Sequence, residues 1–161
     1  MNKKIGIIGT NATIKSGAYE KALAGICPDI KTVAVPCPLF VPLVENGFIC
    51  RDDQIVRLVV RRYLSELKEI GVDTLILGCT HYPLLKDAIS EFMGDGVELI
   101  DSGYETAVYS AKILKENNLL NSDCSLVEHL RNYNHRVVAS RTDTESEVTC
   151  RTTHSCNNKP G

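Results

Sequence analysis

The chain carries little excess charge of either sign. Its 161 residues hold 18 Lys and Arg against 20 Asp and Glu, a net charge of −2. That balance removes the electrostatic case for a nucleic-acid partner or for binding to an anionic membrane surface. Long hydrophobic runs are also missing, and none approaches the roughly 18 apolar residues that a membrane span needs. The N-terminal Met-Asn-Lys-Lys-Ile-Gly-Ile-Ile-Gly has two lysines before an apolar patch. That patch is short and broken by glycine, unlike a secretory signal. A cytoplasmic location is the expectation. There is no Cys-x-x-Cys pair, so a zinc knuckle is not expected. Seven cysteines are present, at positions 27, 37, 50, 79, 124, 150 and 156. Their odd number and scattered spacing do not describe a disulfide framework, and reduced thiols fit better. His154 and Cys156 have no further partners at ligand spacing, and no metal site is expected.

What is present suits one domain with a real core. Hydrophobic residues make up 43% of the chain, and a chain near this length buries roughly 68–70% of its unfolded surface. Short β-branched or apolar runs at Lys4–Ile8, Ile30–Val35, Thr74–Leu77 and Val97–Ile100 read as strands. Between them lie helical patterns. Ile14–Ala24 has helical spacing. Asp52–Ile70 is the clearest helix, with Val56, Val59, Val60, Tyr63, Leu64, Leu67 and Ile70 on one stripe, Asp52 as its N-cap and Gly71 just past its end. Leu84, Leu85, Ala88, Ile89 and Phe92 mark a third helix. Ser102-Gly-Tyr-Glu105 reads as a capping box opening a fourth, running to about Asn117. The prolines at 36, 38 and 42 are expected to break regularity, with Phe40, Val41, Leu43 and Val44 packed on the sheet. The alternation predicts an α/β fold with a parallel sheet of at least four strands flanked by helices. Residues 1–120 form this domain. Residues 121–161 are expected to be irregular or disordered, apart from one strand candidate at His135–Ala139, because Ser140–Gly161 has almost no apolar residues to offset its ordering entropy.

The chemistry concentrates at Gly78-Cys79-Thr80-His81-Tyr82-Pro83. A cysteine here follows a buried strand and precedes a helix start, which is where ligands bind in open α/β sheets. The positive end of the following helix is expected to favour thiolate and lower the thiol pKa. Thr80 and free N–H groups could hold a carboxylate, and His81 could trade protons with the thiol or the substrate. The bland alternative is a small buried core cysteine. Gly9-Thr-Asn-Ala-Thr-Ile-Lys-Ser16 nearly spells a phosphate-binding loop, but Ile14 stands where the second glycine is needed. A strand-to-helix turn whose Thr10 and Thr13 meet a smaller anion fits better. Its alternative is that either threonine merely caps the helix.

Four stretches, in order, resemble bacterial glutamate racemases of the aspartate/glutamate racemase superfamily. They are Ile7-Ile-Gly-Thr-Asn-Ala-Thr-Ile-Lys-Ser16, Cys37-Pro-Leu-Phe-Val-Pro-Leu-Val-Glu45, Gly78-Cys-Thr-His-Tyr-Pro-Leu-Leu85 and Leu99-Ile-Asp-Ser-Gly103. The resemblance implies a cofactor-independent isomerase interconverting L- and D-glutamate, which supplies D-glutamate for peptidoglycan. Two cysteines would exchange the α-proton across opposite faces of the substrate. It implies Cys79 as one acid/base, His81 as its assistant, Glu45 as an orienting acid, and Thr80, Thr13 and Thr10 as substrate contacts. A homodimer is one arrangement open to it. The family's Asp-Ser-Gly near its start and its Cys-Asn-Thr motif have no counterpart here: Asp101-Ser102-Gly103 has the right letters but lies after Cys79, at the family's later strand end, and none of Cys27, Cys37 or Cys50 is followed by Asn-Thr. The expectation is that the chain corresponds to the later part of such an enzyme, and two-sided turnover by it alone is not expected. A related aspartate, hydantoin or maleate enzyme is disfavoured by His81-Tyr82-Pro83. A catalytically incomplete ligand-binding fragment stays open.

Overall fold

A computed structural model describes residues 3–119. The expectations for residues 121–161, including the strand at His135–Ala139, lie outside the described residues.

Four strands form one parallel sheet in the order β2-β1-β3-β4. They are β1 (Lys4–Gly9), β2 (Lys31–Pro36), β3 (Thr74–Leu77) and β4 (Glu98–Asp101). Ile8 lies opposite both Val35 and Leu77, and Leu77 lies opposite Asp101. The chain leaves β1 in one direction to make β2, then crosses back over β1 to make β3 and β4. The topological switch therefore lies between the carboxyl ends of β1 and β3, where such sheets open a crevice.

The period-two alternation of the strands divides the apolar residues between two faces. On one face Ile8, Leu75 and Leu77 join Val33, Val35 and Leu99 in the main core. That face is covered by α3 (Phe40–Glu45), α4 (Gln54–Ile70) and α5 (Lys86–Met93). The α4 stripe supplies Val56, Val60, Leu64 and Leu67, all fully buried. Gly6 sits beneath α4, and a Cβ there would come within 2.9 Å of Leu75 and 3.4 Å of Leu67. The opposite face holds Ile7 and Ile76. Its helices, α1 (Asn11–Ser16), α2 (Ala18–Ile26) and α6 (Ser102–Glu116), contribute no fully buried residue.

Several local expectations change. The helical spacing across residues 14–24 spans two helices, because Gly17 breaks the path at φ 61°, ending α1 and starting α2. The segment after β2 is helical rather than irregular. Pro42 is the third residue of α3, where a helix has no internal use for the missing N–H. Asp53, not Asp52, caps α4 through bonds from the Ile55 and Val56 N–H groups. Asp101, not Ser102, caps α6 by accepting from Gly103 and Tyr104. The Ser102 hydroxyl donates instead to the Leu77 carbonyl at 2.8 Å, tying the end of β4 to the end of β3.

Candidate active site

The site grows from the end of β3. The Gly78 N–H donates to the Ile8 carbonyl at 2.8 Å and continues the ladder one residue beyond the strand. A Cβ on Gly78 would lie 2.8 Å from that carbonyl oxygen and 3.0 Å from the Tyr19 ring. Only glycine lets the chain turn this close to β1. The next side chain, Cys79, packs half-buried against the main core. Beyond it the backbone makes a single 3-10 turn, Tyr82–Leu85, before α5 begins at Lys86.

His81 lies between a thiol and a carboxylate. Its Nδ1 is 3.9 Å from Cys79 Sγ, and its Nε2 is 3.5 Å from Glu45 Oε1. The imidazole is mostly buried, with 13% of its side chain exposed, whereas Glu45 is 46% exposed. A proton could pass along this row from sulfur to ring to carboxylate and out to solvent. Glu45 reaches the row because it is the last residue of α3, whose first residue, Phe40, is anchored in the core.

The thiol is not shifted in the expected direction. Burial pushes the Cys79 pKa up, and this outweighs the lowering by backbone N–H groups of His81 and Tyr82 turned toward the sulfur. The helix-dipole expectation failed because no α-helix starts next to Cys79. A 3-10 turn intervenes, with few aligned peptides, and the core takes water away from the sulfur.

The threonines are placed as follows. Thr10 follows the end of β1 and caps α1, accepting from the Thr13 N–H at 3.2 Å. The two hydroxyls also share a hydrogen bond of 3.0 Å. The capping alternative is therefore realised at Thr10. Because Ile8 and Leu77 are register partners, this turn and the Cys79 turn leave adjacent strands at the same edge. Thr80 is exposed beside Cys79. The structure brings Cys79, His81 and Glu45 into one contact row, and it pairs Thr10 with Thr13 in a second group.

Sequence reasoning missed Tyr82. Its ring is fully buried and its hydroxyl donates to the Cys37 carbonyl at 2.9 Å. Burial pushes its pKa up. Cys37 itself is fully buried, its thiol facing the Val35 carbonyl at 3.7 Å. Burial pushes that thiol up to about 12, which leaves it inert near neutral pH. The signal available was a large aromatic in a turn beside an apolar proline-rich segment.

The chain resembles known proteins in sequence and in fold. The Asp/Glu/Hydantoin racemase family model matches residues 1–109. A glutamate racemase from Geobacter metallireducens is 52% identical over 117 residues, covering 73% of this chain and 43% of that protein. The crystal structure of glutamate racemase from Francisella tularensis in complex with D-glutamate superposes with a TM-score of 0.68 at 40% identity. It covers 78% of this chain and 46% of that one. The glutamate racemase of Thermus thermophilus in complex with β-chloro-D-alanine gives a TM-score of 0.64 at 46% identity, over 74% of this chain and 43% of its own. The chain spans about half the length of the curated relatives it matches. Its parallel sheet, its cysteine turn at the switch point and these matches converge, and the chain belongs to the Asp/Glu/Hydantoin racemase family.

Proposed function

We propose that this chain carries one acid/base wall of a glutamate racemase, with Cys79 as the group that exchanges the α-proton. The observation that carries the reading is the Cys79–His81–Glu45 row at the switch-point edge. The names of the matched relatives, and the D-glutamate held by one of them, favour glutamate as the substrate.

The raised thiol pKa suits this chemistry. At neutral pH Cys79 rests protonated, ready to deliver a proton to a carbanion on its side of the substrate. In the reverse direction, a thiolate of raised pKa is a stronger base toward the weakly acidic α-carbon. The His81 and Tyr82 N–H groups steady the sulfur when it carries charge. His81 receives or returns the proton, and Glu45 holds the ring and balances its charge. Thr80, Thr10 and Thr13 offer hydroxyls at the same edge for the substrate carboxylates.

Racemisation needs a second group on the opposite face, because one base tends to return the proton to the side it came from. Cys37 cannot be that group, since it is buried and faces Val35. In the whole enzyme the second base stands on another wall, no cofactor takes part, and the product D-glutamate enters peptidoglycan synthesis in the cytoplasm. Among the described residues no helix is long and apolar enough to cross a membrane.

Calorimetric titration with D-glutamate, L-glutamate and D-aspartate, paired with a polarimetric racemisation assay, tests the reading. Binding of both glutamate enantiomers in preference to aspartate is expected, with little turnover by this chain alone. Preference for aspartate would overturn the choice of substrate.

A further inference from the structure

Tyr82 takes no direct part in proton transfer, yet it touches both the helix that carries Glu45 and the turn that follows β2. Its ring stands edge-on to Phe40, with centroids 5.1 Å apart at 81°. Phe40 stands edge-on in turn to Tyr63 of α4, at 5.5 Å. The Tyr82 hydroxyl donates to the Cys37 carbonyl, and the Cys37 N–H donates to the Gly9 carbonyl at 2.9 Å. The Tyr82 side chain thereby ties the turn after β3 to the turn after β2, whose Cys37 N–H in turn bonds the last residue of β1. On the other side of the same residue, the Tyr82 N–H donates to the Cys79 carbonyl at 3.1 Å. Phe40 opens the helix that Glu45 closes, so the ring contact also sets that helix against the His81 turn.

We propose that Tyr82 is the positioning residue of this site: its buried hydroxyl and ring hold the Cys79–His81 turn in place, with His81 Nδ1 facing the Cys79 sulfur, and keep His81 opposite Glu45. The inference rests on Cys79 being the acid/base of the site. The hydroxyl matters because a phenylalanine would leave the Cys37 carbonyl only the Phe40 N–H, at 3.2 Å, and free the ring to slide along Phe40. The titratable groups around Cys79 are His81 and Tyr82 in its own turn, Glu45 from α3 through His81, Cys37 from the turn after β2, and Tyr63 from α4 behind Tyr82.

The test is the peptide-resolved rate of Cys79 alkylation by iodoacetamide in the full chain, followed from about pH 6 to about pH 11, across the thiol range. The variants are Tyr82→Phe, Phe40→Leu and, as a core control in α5, Ile89→Val. Loosening the N–H donors removes support for the thiolate. Tyr82→Phe should therefore move the midpoint upward and slow alkylation at pH 8 by about threefold to tenfold. The rate at the alkaline plateau should hold. Phe40→Leu should move the midpoint in the same direction, and Ile89→Val should lower stability without moving it. An unmoved or lowered midpoint in Tyr82→Phe overturns the proposal. Should that variant fail to fold, an unmoved midpoint in Phe40→Leu does the same. A wild-type Cys79 whose alkylation ignores pH would instead contradict the acid/base reading beneath it.

Discussion

His81 turns its Nε2 toward Glu45, 3.5 Å from Oε1, while its other ring nitrogen faces the Cys79 sulfur. The carboxylate lies at the end of a short helix and is half exposed, so it connects a mostly buried imidazole to solvent. Glu45→Gln keeps the shape and removes the charge. It should slow α-proton exchange on glutamate by about tenfold, below the range for losing a direct general acid. Glutamate binding measured calorimetrically should change little. An exchange rate equal to wild type would remove Glu45 from the row.

Gly78 governs the approach of the cysteine turn to β1. In Gly78→Ala the new methyl group meets a backbone oxygen at 2.8 Å, an atom that cannot rotate away. The strand end must shift, at a cost of about 1–3 kcal/mol. Urea unfolding should show that loss, and Cys79 alkylation should change with it. Unchanged stability would mean that the two strand ends are not held together as described.

The strands were legible in the sequence because their apolar runs are short and bounded by glycine, proline or charge. Thr74–Leu77 is read with the same bounds by pattern and by structure. The α4 stripe was legible because its helical spacing covers many turns. Gly17 was not legible as a break, since the periodicity on either side continues in phase. Pro42 was misread because a proline tolerated in a first helical turn looks the same in sequence as one that ends regularity. The members of the Cys79 row were legible as candidates. The direction of the thiol shift was not, because it depends on how much core surrounds the sulfur. Tyr82 was illegible for a related reason: its hydroxyl partner is a backbone carbonyl 45 positions away.

Cys37 links burial to alkaline stability. Its thiol has an ordinary value of 9.0 and is pushed up to about 12 in the folded chain. The folded state therefore keeps a proton that the unfolded state releases. Stability from this group is complete below pH 9 and declines as pH rises toward 12, by up to about 4 kcal/mol in all. Tyr82, also raised by burial, acts in the same direction at higher pH. Cys37→Ala should flatten the alkaline limb of a stability–pH curve by up to about 1.4 kcal/mol per pH unit. A slope identical to wild type would show that this thiol is not held neutral by the fold.

The measurement that bears most directly on Cys79 as the acid/base is proton NMR of D- and L-glutamate in deuterated buffer. The full chain is compared with Cys79→Ala. The expected result is slow loss of the α-proton signal, faster for the enantiomer whose α-proton faces Cys79. Inversion should be much slower than exchange, because on the proposed reading the chain presents one wall of a two-sided reaction. In Cys79→Ala the exchange should fall to the buffer rate. Exchange that survives the substitution would contradict the role given to Cys79, and rapid racemisation by this chain would contradict the one-wall account.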